Sequence, residues 1–135
     1  MRLPVRSSRA KRALKVPELL RRQVSGLGDE LLARRFQPRV RDETVARRHG
    51  FNYAVAVFAE WRAQAFYLCV RYRTPTGRPK EEFVVRTTRM QYAGSGRFHL
   101  AYFRHTGRWQ PVYFGLTAAE CFQAIEDEAI FWPLT

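Results

Sequence analysis

The chain has 135 residues, 46% of them apolar, and carries a formal charge of +12. That length allows one domain with a real core and leaves little for a second. No run approaches the roughly 18 apolar residues that a bilayer span needs, and no apolar leader with a small-residue cleavage site follows the basic start, so neither a membrane protein nor a secreted one is expected.

The charge is unevenly placed. Residues 1–24 hold +7, residues 25–50 hold +2 and residues 51–135 hold +3. Residues 1–16 carry Arg2, Arg6, Arg9, Lys11, Arg12 and Lys15 with no acid. Like-charge repulsion and few apolar groups predict a flexible basic arm ahead of a single domain over 17–135. An arm of this kind is either a solubilising tail or a phosphate-contacting segment, since each neutralised phosphate releases a counterion. It supplies affinity without reading sequence.

Pro17 suits a helix start, because a proline there forfeits no needed hydrogen bond. Leu20, Val24, Leu27 and Leu31 then recur at helical spacing on one face, which reads as packing surface. Gly26 and Gly28 interrupt the stripe, each costing about 1 kcal/mol against alanine in a helix interior. Two short helices near 17–25 and 29–36, or one bent helix, are expected. From Phe36 to Gly50 a helix opened by Pro38 and closed by Gly50 is favoured over a strand at Glu43–Arg48. Arg39, Arg41, Arg47 and Arg48 would then form a second basic surface.

Between Phe51 and Phe114 lie five runs rich in Val, Phe, Tyr, Trp and Thr, separated by RAQ, TPTGRPK, GSG and TGR. This is strand composition punctuated by turn residues, and it predicts a five-stranded antiparallel meander. Alternation within Ala65–Arg73 puts Phe66, Leu68, Val70 and Tyr72 on one face and Tyr67, Cys69, Arg71 and Arg73 on the other. Phe98, Leu100 and Tyr102 oppose His99, Ala101 and Phe103 in the same way, and Phe51, Tyr53, Val55, Val57 and Trp61 are expected to share a face. One face should pack on helices while the other mixes arginine with aromatics. After Gly115, Thr117 and Glu120 have the spacing of a capping box, opening a helix with Phe122, Ile125 and Ala129 inward. Asp127 and Glu128 oppose the helix dipole and should end it. Phe131, Trp132 and Leu134 should tuck against the body. The fold class is therefore α+β: N-terminal helices, the meander and a C-terminal helix.

Three pieces resemble landmarks of a family of small uncharacterised bacterial proteins, known only as a domain of unknown function. They are Pro38-Arg39-Val40-Arg41-Asp42, the run RFHLAYFRHTGRW at 97–109, and IFW at 130–132. The resemblance spans 17–135 and implies no activity and no site residues.

No catalytic constellation is legible. His99 and His105 share strand parity, but a zinc site would need further ligands and only Cys69 is a plausible recruit, so ordinary surface histidines are expected. Asp42, Glu43, Glu60, Glu81 and Glu82, with Lys80 beside the last pair, are the carboxylates a metal-dependent nuclease would need. They read better as solvated charges at strand junctions. Gly94-Ser95-Gly96 is a turn, with no nucleophile elbow or phosphate-cradling glycine loop. Cys69 and Cys121 have no metal or redox spacing and read as buried, reduced thiols in the cytoplasm. No cofactor or metal is called for.

The one positive signal is arginine interleaved with aromatics on the sheet. Tyr67, Arg71, Arg73, Arg86 and Arg89 make a surface on which bases could stack while guanidinium groups hold phosphates. With the arm and the Arg39–Arg48 group, they predict a non-enzymatic module for RNA or single-stranded DNA. The alternative is a protein-interaction or scaffold module, with a protein partner or as a homo-oligomer, that docks an acidic partner and uses the apolar stripe of the N-terminal helices.

Overall fold

The computed structural model describes residues 14–75 and 81–134. A long helix, α1 (Glu18–Leu31), leads through one widened turn (Leu32–Phe36) and a tight turn (Gln37–Arg39) to a short helix, α2 (Glu43–Arg47). Five strands follow: β1 (Tyr53–Arg62), β2 (Ala65–Arg73), β3 (Glu82–Gly94), β4 (Arg97–Phe103) and β5 (Trp109–Thr117). A last helix, α3 (Ala118–Asp127), and a turn at Ala129–Phe131 complete the described chain. The strands pair antiparallel in the order β1-β2-β3-β4-β5, the meander expected from the spacing of the runs.

Both glycines of the N-terminal segment lie inside α1, which runs unbroken through them. The reason differs between the two. A Cβ on Gly26 would meet nothing within 4 Å, whereas one on Gly28 would lie 2.7 Å from Cε2 and Cζ of Phe66. Gly28 therefore lets the helix backbone settle directly on an aromatic ring of the sheet, and that contact outweighs the local helix penalty. Val24 and Leu31 are buried and Leu20 and Leu27 pack beside them, so the apolar stripe is spent on the core and does not remain as an interface. The widened turn keeps Leu32 and Phe36 inward. It leaves Arg34 and Arg35 facing α3, where both bond the Glu126 carboxylate, Arg34 through two bonds of 2.9 and 3.1 Å.

The segment after Phe36 is helical at both ends but not one helix. Pro38 sits in the tight turn, and α2 starts afresh at Asp42, whose carboxylate accepts from the Thr44 and Val45 amides. A local cap that satisfies exposed N–H groups outranks the proline as a starting signal. At the other end of the chain, the expected capping box is present. Thr117 Oγ1 accepts from the Glu120 amide at 3.2 Å and Glu120 Oε1 from the Thr117 amide at 2.8 Å.

Both α1 and α3 lie on one side of the sheet, over Phe66, Leu68, Val70, Met90, Phe98 and Leu100. Phe131 closes this core, and its carbonyl accepts from the hydroxyl of Thr88 at 2.6 Å. Thr88 is 1% exposed and is the one buried polar side chain among the described residues.

Register shifts occur in all four strand pairs and decide which side chains share a face. In β1 the pairing skips Val55: Ala54 faces Tyr72, and Ala56 already faces Arg71. The extra residue reverses the alternation, so Val57, Ala59 and Trp61 pack inward while Tyr53 belongs with the opposite face. The single face expected for Phe51, Tyr53, Val55, Val57 and Trp61 is therefore wrong, because strict period-two counting cannot see a bulge. Phe51 precedes the strand and is 76% exposed. In β3 the skipped residue is Thr87, whose hydroxyl donates to the Leu68 carbonyl at 3.2 Å.

Candidate nucleic-acid interface

Among the described residues neither α1 nor α3 covers the second face of the sheet, and α2 reaches it only at Arg73 and Tyr53 through Glu43. From β2 it receives Ala65, Tyr67, Cys69, Arg71 and Arg73, as alternation requires. Arg86 and Arg89 of β3 are three residues apart and would point to opposite faces of a regular strand. The bulge at Thr87 between them brings both to this side, Arg86 opposite Cys69 and Arg89 opposite Tyr67. Thus Tyr67, Arg71, Arg73, Arg86 and Arg89 do come together.

Aromatic rings lie among these arginines. Trp109 of β5 pairs with Phe103 across the ladder, at 5.2 Å between ring centroids, and lies 5.7 Å from Tyr67. The Arg89 guanidinium sits over the Trp109 ring at 4.9 Å, that of Arg86 over Tyr67 at 5.7 Å, and that of Arg71 over Phe58 at 4.9 Å. Each is a cation–π contact that holds a long side chain flat against the sheet. Small residues beneath this layer, Ala65, Cys69 and Ala101, are buried. Burial pushes the Cys69 thiol up to about 12, and that of Cys121, on the inward side of α3, likewise. Both cysteines are free.

The arginines differ in how far neighbouring acids neutralise them. Arg73 is held between two carboxylates, bonding Glu82 through Nε and Nη2 and Glu43 of α2 at 2.5 Å. The Glu82 and then the Glu43 bonds push its guanidinium above its ordinary range. Tyr53 donates to the same Glu43 at 2.8 Å, and the Tyr53 and Arg73 bonds together lower the Glu43 carboxyl. This cluster pins α2 to the sheet, so Arg73 is a structural tie. Arg86 pairs with Glu60 at 3.2 Å and Arg71 with Glu82 at 3.8 Å, both partly exposed. Arg89 has no carboxylate partner among the described residues. The Nε atoms of Arg86 and Arg89 are buried without a hydrogen-bond partner.

The carboxylates considered for a metal do not gather: Glu43 and Glu82 are separated by the Arg73 side chain, and Glu60 belongs to Arg86. No group of three His, Cys, Asp or Glu forms among the described residues. His99 accepts from the Gly115 amide through Nδ1 at 3.1 Å and rests on the edge of Phe114 at 5.1 Å.

The other expected contacts are not part of this cluster of arginines and rings. Arg2, Arg6, Arg9, Lys11 and Arg12 fall outside the described residues. Lys15 is exposed beside Val16, which is buried and donates its amide to Gln64 at 2.8 Å. Arg47 and Arg48 are exposed on and just after α2. Arg39 and Arg41 line a separate cleft beside α2 and the start of β1. Phe103 lies on the open face as alternation in β4 required, while Trp109 and Phe58 are members of that face that sequence reasoning missed. The signal for Trp109 lay in the short TGR connection, which folds it back beside Phe103.

Among the described residues no helix is long and apolar enough to cross a membrane. No curated protein and no solved structure matches the chain. The model of a family described as a domain of unknown function, DUF3024, matches residues 16–133, nearly the whole chain, and the protein belongs to that family.

Proposed function

We propose that the open face of the sheet binds single-stranded nucleic acid, RNA or DNA, with Trp109, Tyr67 and Phe103 as stacking surfaces and Arg89, Arg86 and Arg71 as phosphate contacts. The observation that carries this reading is Trp109, set between two other rings on a sheet face that neither α1 nor α3 covers, and beneath a guanidinium that no described carboxylate neutralises. Sheet faces bearing aromatic side chains stack bases without reading sequence, because every base offers a π-face. The ion pairs of Arg71 and Arg86 are solvent-facing and weak, so a phosphate can replace the carboxylate at little cost. Arg73, closed between two acids, is not assigned a contact. The basic arm adds affinity that falls steeply with salt. Two buried, unpaired thiols suit the reducing cytoplasm.

Fluorescence anisotropy with end-labelled 12-nucleotide U and dT strands, at about 50 mM salt, tests the reading. Stacking on an aromatic ring is worth about 1–3 kcal/mol per base, so Trp109→Ala is expected to weaken binding roughly 5- to 150-fold. A labelled duplex of the same length should bind less tightly than either strand. No binding at low salt, or a Trp109→Ala variant that binds like the unaltered protein, overturns it. A defined oligomer or co-purifying protein with no nucleic-acid affinity favours the scaffold reading instead.

A further inference from the structure

A cleft of about 440 Å³ lies at the β1 end of the molecule, between the tight turn after α1, α2, the start of β1 and the end of the described chain. This is within the range of pockets that hold small ligands, roughly 300–1,000 Å³. Its lining includes Arg39, Arg41 and His49, and among the described residues no Asp or Glu lines it. Three of the arginines on the open face, by contrast, are each set against a carboxylate. Neither Arg39 nor Arg41 has an ion pair among the described residues. Arg39 is nonetheless held in place, its guanidinium over the Trp132 ring at 5.0 Å and 6.0 Å from that of Phe36. Phe51, 76% exposed, and Tyr72 supply ring surface to the same cleft, and Asn52 supplies an amide.

Two guanidinium groups without counter-charge favour a compact dianion, and a planar fork matches phosphate oxygens better than a point charge does. An exposed phenylalanine at the rim of such a site favours a flat, partly apolar group attached to that anion. We propose that this cleft binds a phosphate monoester joined to a flat ring, the chemistry of a nucleoside 5′-monophosphate. Arg39 and Arg41 take the phosphate, and Phe51 takes the ring. The same group occurs free and at the 5′-phosphorylated end of a strand. The second source rests on the nucleic-acid reading above, and the first does not.

Isothermal titration of the full chain with AMP, UMP, adenosine and inorganic phosphate tests the site, alongside 6-nucleotide strands bearing either a 5′-phosphate or a 5′-hydroxyl. The nucleoside monophosphates are expected to bind at least about tenfold more tightly than adenosine or inorganic phosphate, since each fragment lacks one of the two contacts. Arg41→Ala is expected to weaken the monophosphates about tenfold or more, the loss of one charge-assisted contact. Arg41 is exposed and unpaired among the described residues, so this variant keeps the fold, which a melting curve verifies. A preference for the 5′-phosphorylated strand that Arg41→Ala removes and Trp109→Ala leaves intact assigns the strand end as the source. Binding of monophosphates with no strand preference assigns the free nucleotide. Monophosphates that fail to bind at millimolar concentration, or that bind Arg41→Ala equally well, overturn the proposal. Either result leaves the open-face reading to its own Trp109 test.

Discussion

The two glycines of α1 make a matched pair whose substitution should move stability in opposite directions. At Gly26 a methyl group meets nothing within 4 Å. Alanine there contributes only its better helix propensity and a less flexible unfolded chain, a gain of roughly 0.5–1 kcal/mol. At Gly28 the same gain is available, but the new carbon would stand 2.7 Å from two atoms of Phe66, where unstrained carbons sit about 3.5–4.0 Å apart. The ring has nowhere to retreat. It is 2% exposed, with Trp61 at 5.1 Å and Phe122 at 6.2 Å between centroids. Overpacking of this kind costs about 1–3 kcal/mol, so Gly28→Ala should be destabilising by roughly 0.5–2 kcal/mol net of the helix gain. Urea unfolding followed by circular dichroism measures both, and Gly26→Ala should have the higher midpoint by a difference worth about 1–3 kcal/mol. Pairing Gly28→Ala with Phe66→Leu should recover part of the loss by opening space for the methyl. If Gly28→Ala matches Gly26→Ala in stability, the close helix–sheet contact does not exist and the account of why α1 carries a glycine there is wrong.

Other outcomes follow from the same contacts. Thr88→Val keeps the shape but leaves the Phe131 carbonyl without its 2.6 Å donor, and should cost about 1–3 kcal/mol in the same urea assay. The Arg34 bonds hold the Glu126 carboxyl below its ordinary value of 4.5, as those of Tyr53 and Arg73 do for Glu43. A lowered folded-state value means that this stability is fully present above about pH 4.5 and is lost as pH falls through the folded values. Glu126→Gln should therefore show a shallower loss of stability between pH 5 and pH 3 than the unaltered chain, read as the change in urea midpoint with pH. Burial raises both thiols to about 12, so at pH 8 the native protein should react with a thiol reagent on the order of 1,000-fold more slowly than the urea-unfolded chain. Removing residues 1–13 should lower strand affinity and flatten its salt dependence, because fewer counterions are released. Unchanged salt slopes would assign the arm no part in binding.

The sequence by itself determined the α+β class, the strand count and order, the capping box at Thr117 and the inward faces of β2 and β4. These rest on composition, turn residues and short-range periodicity, all of which act within a few residues of chain. It could not show that α1 passes through Gly26 and Gly28, since the ring that rewards a glycine at 28 belongs to a strand 38 residues later. Nor could alternation place Tyr53, or bring Arg86 and Arg89 to one face, because a single extra residue at Val55 or Thr87 reverses every side chain beyond it. The charges of the open face were legible, but their partners were not: Glu43, Glu60 and Glu82 reach Arg73, Arg86 and Arg71 only across strands and from α2. Pairing of this kind depends on distances through space, and so the tertiary structure alone decided which arginines are ties within the fold and which, Arg89, Arg39 and Arg41 among them, are left without a carboxylate among the described residues.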